Sequence, residues 1–236
     1  MALSHDPADE TPVHLVAADG QQIRQAGQGM APTADFAWLE LLRDGLTFDL
    51  IGLASGDAVR LPEIEHRFDL EETPSSVRHE ALQLAPGHHL AGGERTTPVV
   101  KGLMALARDL VQHFEEIEAV VWPPSESAIG RRFFESVSTA WLDGGPFPAL
   151  GLTAFRETID GALQSIGLNF WINQELRIES PLSIDKVSAT RLGVRLVNQL
   201  ILVGGIEGSE RIVAPDGNLL VMRTSRNGKY VRVWRE

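Results

Sequence analysis

Three stretches of this chain carry residue types that could do chemistry. The first is Trp122-Pro123-Pro124-Ser125-Glu126-Ser127-Ala128-Ile129-Gly130-Arg131-Arg132. An apolar strand over 119–122 runs into two prolines, and Ser125 or Ser127 is placed to cap a helix that follows. A helix N-terminus offers free N–H groups and partial positive charge. With Trp122, Ser125, Ser127 and Arg131 around it, this strand-to-helix turn is therefore a candidate ligand site for an anion or oxyanion. Neither a Gly-x-Ser-x-Gly elbow nor a Gly-Lys-Ser/Thr phosphate loop accompanies it. Helix capping alone accounts for the serines.

The second stretch is Phe170-Trp171-Ile172-Asn173-Gln174-Glu175-Leu176-Arg177-Ile178. Read as extended chain, it alternates Trp171, Asn173, Glu175 and Arg177 against Phe170, Ile172, Leu176 and Ile178. The first set would line a shallow pocket, although the period of two has a purely structural meaning as well. The third is the C-terminal pair of strand-like runs joined by Asn227-Gly228, a hairpin signal that predicts a type I′ turn. That register sets Arg223 opposite Arg232 beside Tyr230 and Trp234. Opposed like charges weaken a strand pair, so a carboxylate or an anionic ligand is expected between them. An internal carboxylate is the favoured supplier.

Histidines offer less. His88 and His89 are adjacent in a loop with Gly92, Gly93 and Glu94, and His113 lies near Glu115. Neither set has a third ligand at a recognised spacing. No metal and no cofactor is expected, and no Ser/His/Asp order suggests a triad.

The elements that must position these residues follow from periodicity. Residues 1–32 read as a flexible arm in which only Val13–Ala17 could pair as a strand. Thr33 then opens a helix carrying Phe36, Trp38, Leu41 and Leu42, with Asp44-Gly45 at its end. Strands are expected over 47–53, 60–70 and 77–84, a helix from Thr97-Pro98, and a buried strand over 119–122. A helix with the stripe Ile129, Phe133, Val137 and Trp141 comes next. Strands over 150–157, 164–172 and 175–178, a helix from Asp185 to about Leu202, and the terminal hairpin complete the chain. Strands often follow strands directly. That order fits an α+β fold with a mixed, largely antiparallel sheet and helices packed on it. Residues 33–236 read as one composite domain, built of two similar halves, 33–124 and 125–236.

Composition bounds the rest. The chain has 236 residues, 43% of them apolar, which excludes wholesale disorder. Cysteine is absent, which excludes disulfides and thiolate-held metals. Acids outnumber bases 32 to 21, and the excess lies in residues 1–118, with 20 acids and 8 bases. A nucleic-acid-coating protein needs a basic face, so nucleic acid is disfavoured as a partner. Met1-Ala2-Leu3-Ser4-His5-Asp6-Pro7 does not read as a signal peptide and no apolar run is long enough to span a bilayer, so the expected location is cytoplasmic.

Three stretches resemble a bacterial family catalogued as domain of unknown function 4261. They are Ala119-Val120-Val121-Trp122-Pro123-Pro124-Ser125, Gly145-Pro146-Phe147-Pro148-Ala149-Leu150-Gly151-Leu152, and Gly167-Leu168-Asn169-Phe170-Trp171-Ile172-Asn173-Gln174-Glu175-Leu176-Arg177-Ile178. The resemblance implies an α+β bacterial domain and brings no catalytic residue with it. With no organised acid/base set, the expected function is a non-catalytic module binding a protein partner or a small ligand. The alternatives are a hydrolase-like enzyme using the Ser125–Arg132 turn and a nucleic-acid contact through the Arg223/Arg232 hairpin.

Overall fold

The computed structural model describes residues 13–17, 38–53, 59–214 and 216–236. They form an α+β structure with two mixed, mostly antiparallel sheets, in two compact units, Met1–Gly145 and Pro146–Glu236. The division falls after the expected 124/125 boundary, because the helix that follows Trp122 belongs to the first unit.

The strands of the first unit are β1 (Val13–Ala17), β2 (Trp38–Arg43), β3 (Leu46–Ile51), β4 (His66–Phe68), β5 (Glu80–Pro86), β6 (Ile117–Trp122) and β7 (Ser127–Gly130). Their order is β2-β3-β5-β1-β6-β7-β4, with only β4 and β7 parallel. Directly paired residues share a face. One face therefore gathers Val13, Leu15, Phe48, Leu50, Leu84 and Val120, all buried, under α1 (Thr97–His113) and α2 (Arg131–Leu142). Gly102 of α1 is what lets the helix settle on Phe48. A Cβ there would stand 2.8 Å from the ring. On the other face Ala119, Val121 and Ala128 are covered by Leu61, Ile64 and Leu70.

The second unit contains α3 (Ala149–Leu152), β8 (Ala154–Glu157), β9 (Leu163–Ile166), α4 (Leu168–Ile172), β10 (Glu175–Ile178), α5 (Lys186–Val203), β11 (Ser209–Val213), β12 (Leu219–Thr224) and β13 (Tyr230–Arg235). Its sheet runs β11-β12-β13-β10-β9-β8, with β10 and β13 parallel. Asp185 caps α5 by accepting from the N–H groups of Val187 and Ser188. Ala189, Leu196, Val197 and Leu200 of that helix are buried, as are Leu176, Ile178, Val231 and Val233 of the sheet. Gly193 repeats the device of Gly102, since a Cβ there would meet the Phe155 ring at 2.7 Å.

Several expectations are corrected. The arm expected over 1–32 contains an interior strand: β1 lies between β5 and β6, with Val13 and Leu15 buried. Burial of Val13 and Leu15 and hydrogen-bonded pairing on both flanks, to β5 and β6, together hold the strand in place. The rest of 1–32, with Thr33 and Phe36, lies outside the described residues. The helix expected to end at Asp44-Gly45 is strand β2 where it is described. Asp44 (φ 52°) and Gly45 (φ 80°) turn it into β3 as a two-residue hairpin. The strand expected over 60–70 is confined to His66–Phe68. The stripe assigned to Ile129, Phe133, Val137 and Trp141 is displaced. Ile129 belongs to β7, and α2 buries Phe134, Ser138 and Trp141. The strand expected over 150–157 starts only at Ala154, since Leu150 and Gly151 break into a kinked turn.

Candidate functional site

The Trp122–Arg132 segment is built differently from the expected strand-to-helix turn. Pro123–Ser125 form one 3-10 turn, Ser127–Gly130 pair as β7, and the helix starts only at Arg131. Pairing of β7 with both β6 and β4 outcompetes helix initiation at Ser125. Trp122, Ser125 and Ser127 are wholly buried. The Ser125 hydroxyl donates to Ser127 Oγ at 2.9 Å, and Ser127 Oγ donates to Ser125 O at 3.0 Å. Arg131 donates from Nη1 to the carbonyls of Phe114, at 2.5 Å, and Ile117. These four residues lock the segment internally and present no anion cradle to solvent.

The Trp171–Arg177 set is likewise dispersed. Gly167, at φ 87°, ends β9, so Trp171 falls in α4, Asn173 ends that helix in the left-handed region, and only Glu175 and Arg177 are in β10. Trp171 packs edge-on against Phe147, with centroids 4.8 Å apart, and against Phe170. The Glu175 carboxylate turns back on α4, accepting from Gly167 N and Asn169 N at 3.0 Å each and from Ser165 Oγ. Burial pushes its pKa up, and these donors oppose the shift. Arg177 pairs with Asp160 and with Glu179. The four residues are spread over the end of α4 and the interior strand β10.

The expected register of the terminal hairpin is present: Arg223 faces Arg232, and Arg232 in turn faces Arg177 of β10. The turn itself differs, because only Gly228 (φ 73°) is left-handed. Asn227 Oδ1 accepts from Ser225 Oγ and from Lys229 N, which fixes the loop without a second positive φ. Glu179 supplies the carboxylate between Arg177 and Arg232, while Arg223 is exposed.

A further concave site lies in the second unit. Arg191 and Arg195 of α5 and Arg235 of β13 line a cavity of about 640 Å³, together with Leu182, Leu192 and Leu220. Among the described residues, no carboxylate oxygen lies within 4.0 Å of these guanidiniums. The two acids at the rim are engaged by other groups. Asp185 holds the N-terminus of α5 and Ser188 Oγ, and Asp216 holds Asn218 N at 3.1 Å. Those hydrogen bonds, with smaller contributions from the Arg191 guanidinium at Asp185 and the Arg235 guanidinium at Asp216, keep both carboxyls below the usual carboxylate range. A second hollow of about 610 Å³, with Leu150, Val187 and Val194, flanks the same two α5 arginines. The spacing of Arg191 and Arg195, four apart and off the apolar stripe of α5, is visible in the sequence. Their meeting with Arg235 of β13 is a tertiary convergence that no spacing announces.

His88 and His89 form an exposed 3-10 turn with their rings 3.6 Å apart, and no third ligand joins them among the described residues. Among the described residues no helix is long and apolar enough to cross a membrane. Comparison with protein-family models, with curated proteins and with solved structures finds no match.

Proposed function

We propose that this chain is a non-catalytic cytoplasmic binding module whose second unit holds a small amphipathic anion, a carboxylate or phosphate ester on a hydrocarbon body. One observation carries the reading: Arg191, Arg195 and Arg235 converge on one cavity with none of them ion-paired among the described residues. Guanidiniums recognise planar carboxylate and phosphate oxygens through paired N–H donors. Leu182, Leu192 and Leu220 supply the apolar wall. The volume falls within the range of small-ligand sites, about 300–1,000 Å³. The second unit is also the basic part of the chain, with eleven Lys and Arg against nine Asp and Glu, whereas residues 1–145 hold ten against twenty-three. That asymmetry favours approach of an anion to this unit. The resemblance to domain of unknown function 4261 adds an expected α+β setting and no site residue.

The test uses octyl phosphate, octanoate and octanol as probes in calorimetry and thermal unfolding. Octyl phosphate and octanoate should bind and raise the melting temperature in proportion to occupancy, and octanol should do neither. Arg195→Ala and Arg235→Ala should each weaken octyl phosphate at least tenfold while the protein stays folded. Equal binding of octanol, or affinity indifferent to both substitutions, refutes the reading.

A further inference from the structure

We propose that Glu65, His66 and Glu126 of the first unit form a site for a divalent transition-metal ion of the zinc class. One ligand atom from each residue lies within 4.8 Å of the other two. The chain builds this convergence from two distant segments. The N–H groups of Glu65 and His66 both donate to the carbonyl of Glu126, at 2.9 and 3.0 Å. His66 then opens the parallel pairing of β4 with β7 by facing Ser127. The backbone under the three side chains is thereby fixed, and metal entry requires only side-chain rotation.

One imidazole nitrogen with two carboxylate oxygens is a borderline donor set. It suits Zn²⁺ or Mn²⁺ and is too nitrogen-containing for a Ca²⁺ cage. Donors at about 2.1 Å from Zn²⁺ in a tetrahedron stand about 3.4 Å apart, so the three atoms need contract only modestly. Nε2 of His66 and Oε2 of Glu126 are shut off from solvent. Glu65 is exposed, which leaves an entry path and a position for water as the fourth ligand. Two carboxylates and a neutral imidazole carry two negative charges, which one dication balances. This site shares no residue with the arginine cavity.

The test is calorimetric titration of the chelator-treated full chain with ZnCl2 and MnCl2, followed by X-ray absorption of the zinc-loaded protein. One Zn²⁺ per chain is expected, in an all-nitrogen-and-oxygen shell containing a single imidazole. His66→Asn and Glu126→Gln should each weaken it at least tenfold. The exposed Glu65→Gln, checked for native circular dichroism, should do the same and decides the matter if either other variant is misfolded. The double variant His88→Ala/His89→Ala should bind zinc as the parent does. Absence of saturable binding, affinity unchanged in Glu65→Gln, or loss of zinc in the His88/His89 variant overturns the assignment.

Discussion

Arg232 donates from Nε to Oε1 of Glu179 at 2.6 Å, and Arg177 reaches the same oxygen from the neighbouring strand at 3.0 Å. One carboxylate thus stands between two guanidiniums of a row that continues to Arg223. Glu179→Gln should lower stability by about 1–2 kcal/mol, a figure held down by the half-exposed Arg232. Sulfate should restore part of the loss in the variant and leave the parent unchanged. A variant as stable as the parent in thermal unfolding would show that the row needs no acid.

Burial lowers the His14 pKa to about 4. It sits in β1 opposite Gln83 and Val121, and its Nδ1 has no hydrogen-bond partner among the described residues. An unfolded imidazole titrates near 6.5. Between that value and 4 the unfolded chain holds a proton that the folded chain lacks, so stability falls as pH drops through this window. The full displacement corresponds to about 3 kcal/mol. His14→Leu should flatten the curve, measured as urea midpoints at pH 7 and pH 4.5. Parallel curves for parent and variant would mean that His14 is not the group responsible.

Glu175 should respond with the opposite sign. Its folded carboxyl holds a proton to higher pH than the unfolded one, so the group subtracts from stability as pH rises past the unfolded value. Glu175→Gln keeps an acceptor for Gly167 N and should be at least as stable as the parent at pH 7. Glu175→Ala leaves that N–H and the Ser165 hydroxyl without their acceptor, at about 1–3 kcal/mol for each buried donor. Chemical denaturation of the two variants side by side separates hydrogen bonding from charge.

A chain beginning at Ala18 lacks β1 and should not retain a cooperatively folded first unit. Burying Val13 and Leu15 contributes about 1.5–3 kcal/mol each, and the ladders to β5 and β6 both vanish. Loss of slow amide exchange over β5 and β6 is the expected signature. Native-like protection of β6 in the shortened chain would contradict the interior placement of β1.

The two long helices were legible because their apolar stripes agree with their start signals: Thr97-Pro98 are the first two residues of α1, after Thr96, and Asp185 caps α5. The terminal hairpin was legible in register for the same reason. Asp44-Gly45 was not, because the same dipeptide ends helices and turns hairpins, and four apolar positions before it fit either period. Ser125 and Ser127 misled because a serine after an apolar strand says nothing about whether the next residues find a strand partner. His66 supplies that partner for Ser127 through a parallel pairing that no local pattern announces. Neither the arginine cavity nor the Glu65/His66/Glu126 cluster could be read from spacing. Each draws residues from separate segments that only the folded sheets bring together.

The place of β1 in its sheet has a consequence for synthesis. His14 pairs on one side with Gln83 and on the other with Val121. The strand is translated before either neighbour exists, and its second flank stays open until Trp122 has emerged. During that interval an apolar segment with unpaired N–H and C=O groups is available to any other extended chain. Closing the middle of the sheet through such distant pairings is intrinsically slow. Refolding yield of the first unit should therefore fall steeply with protein concentration, and a holdase chaperone that shields β1 should recover it.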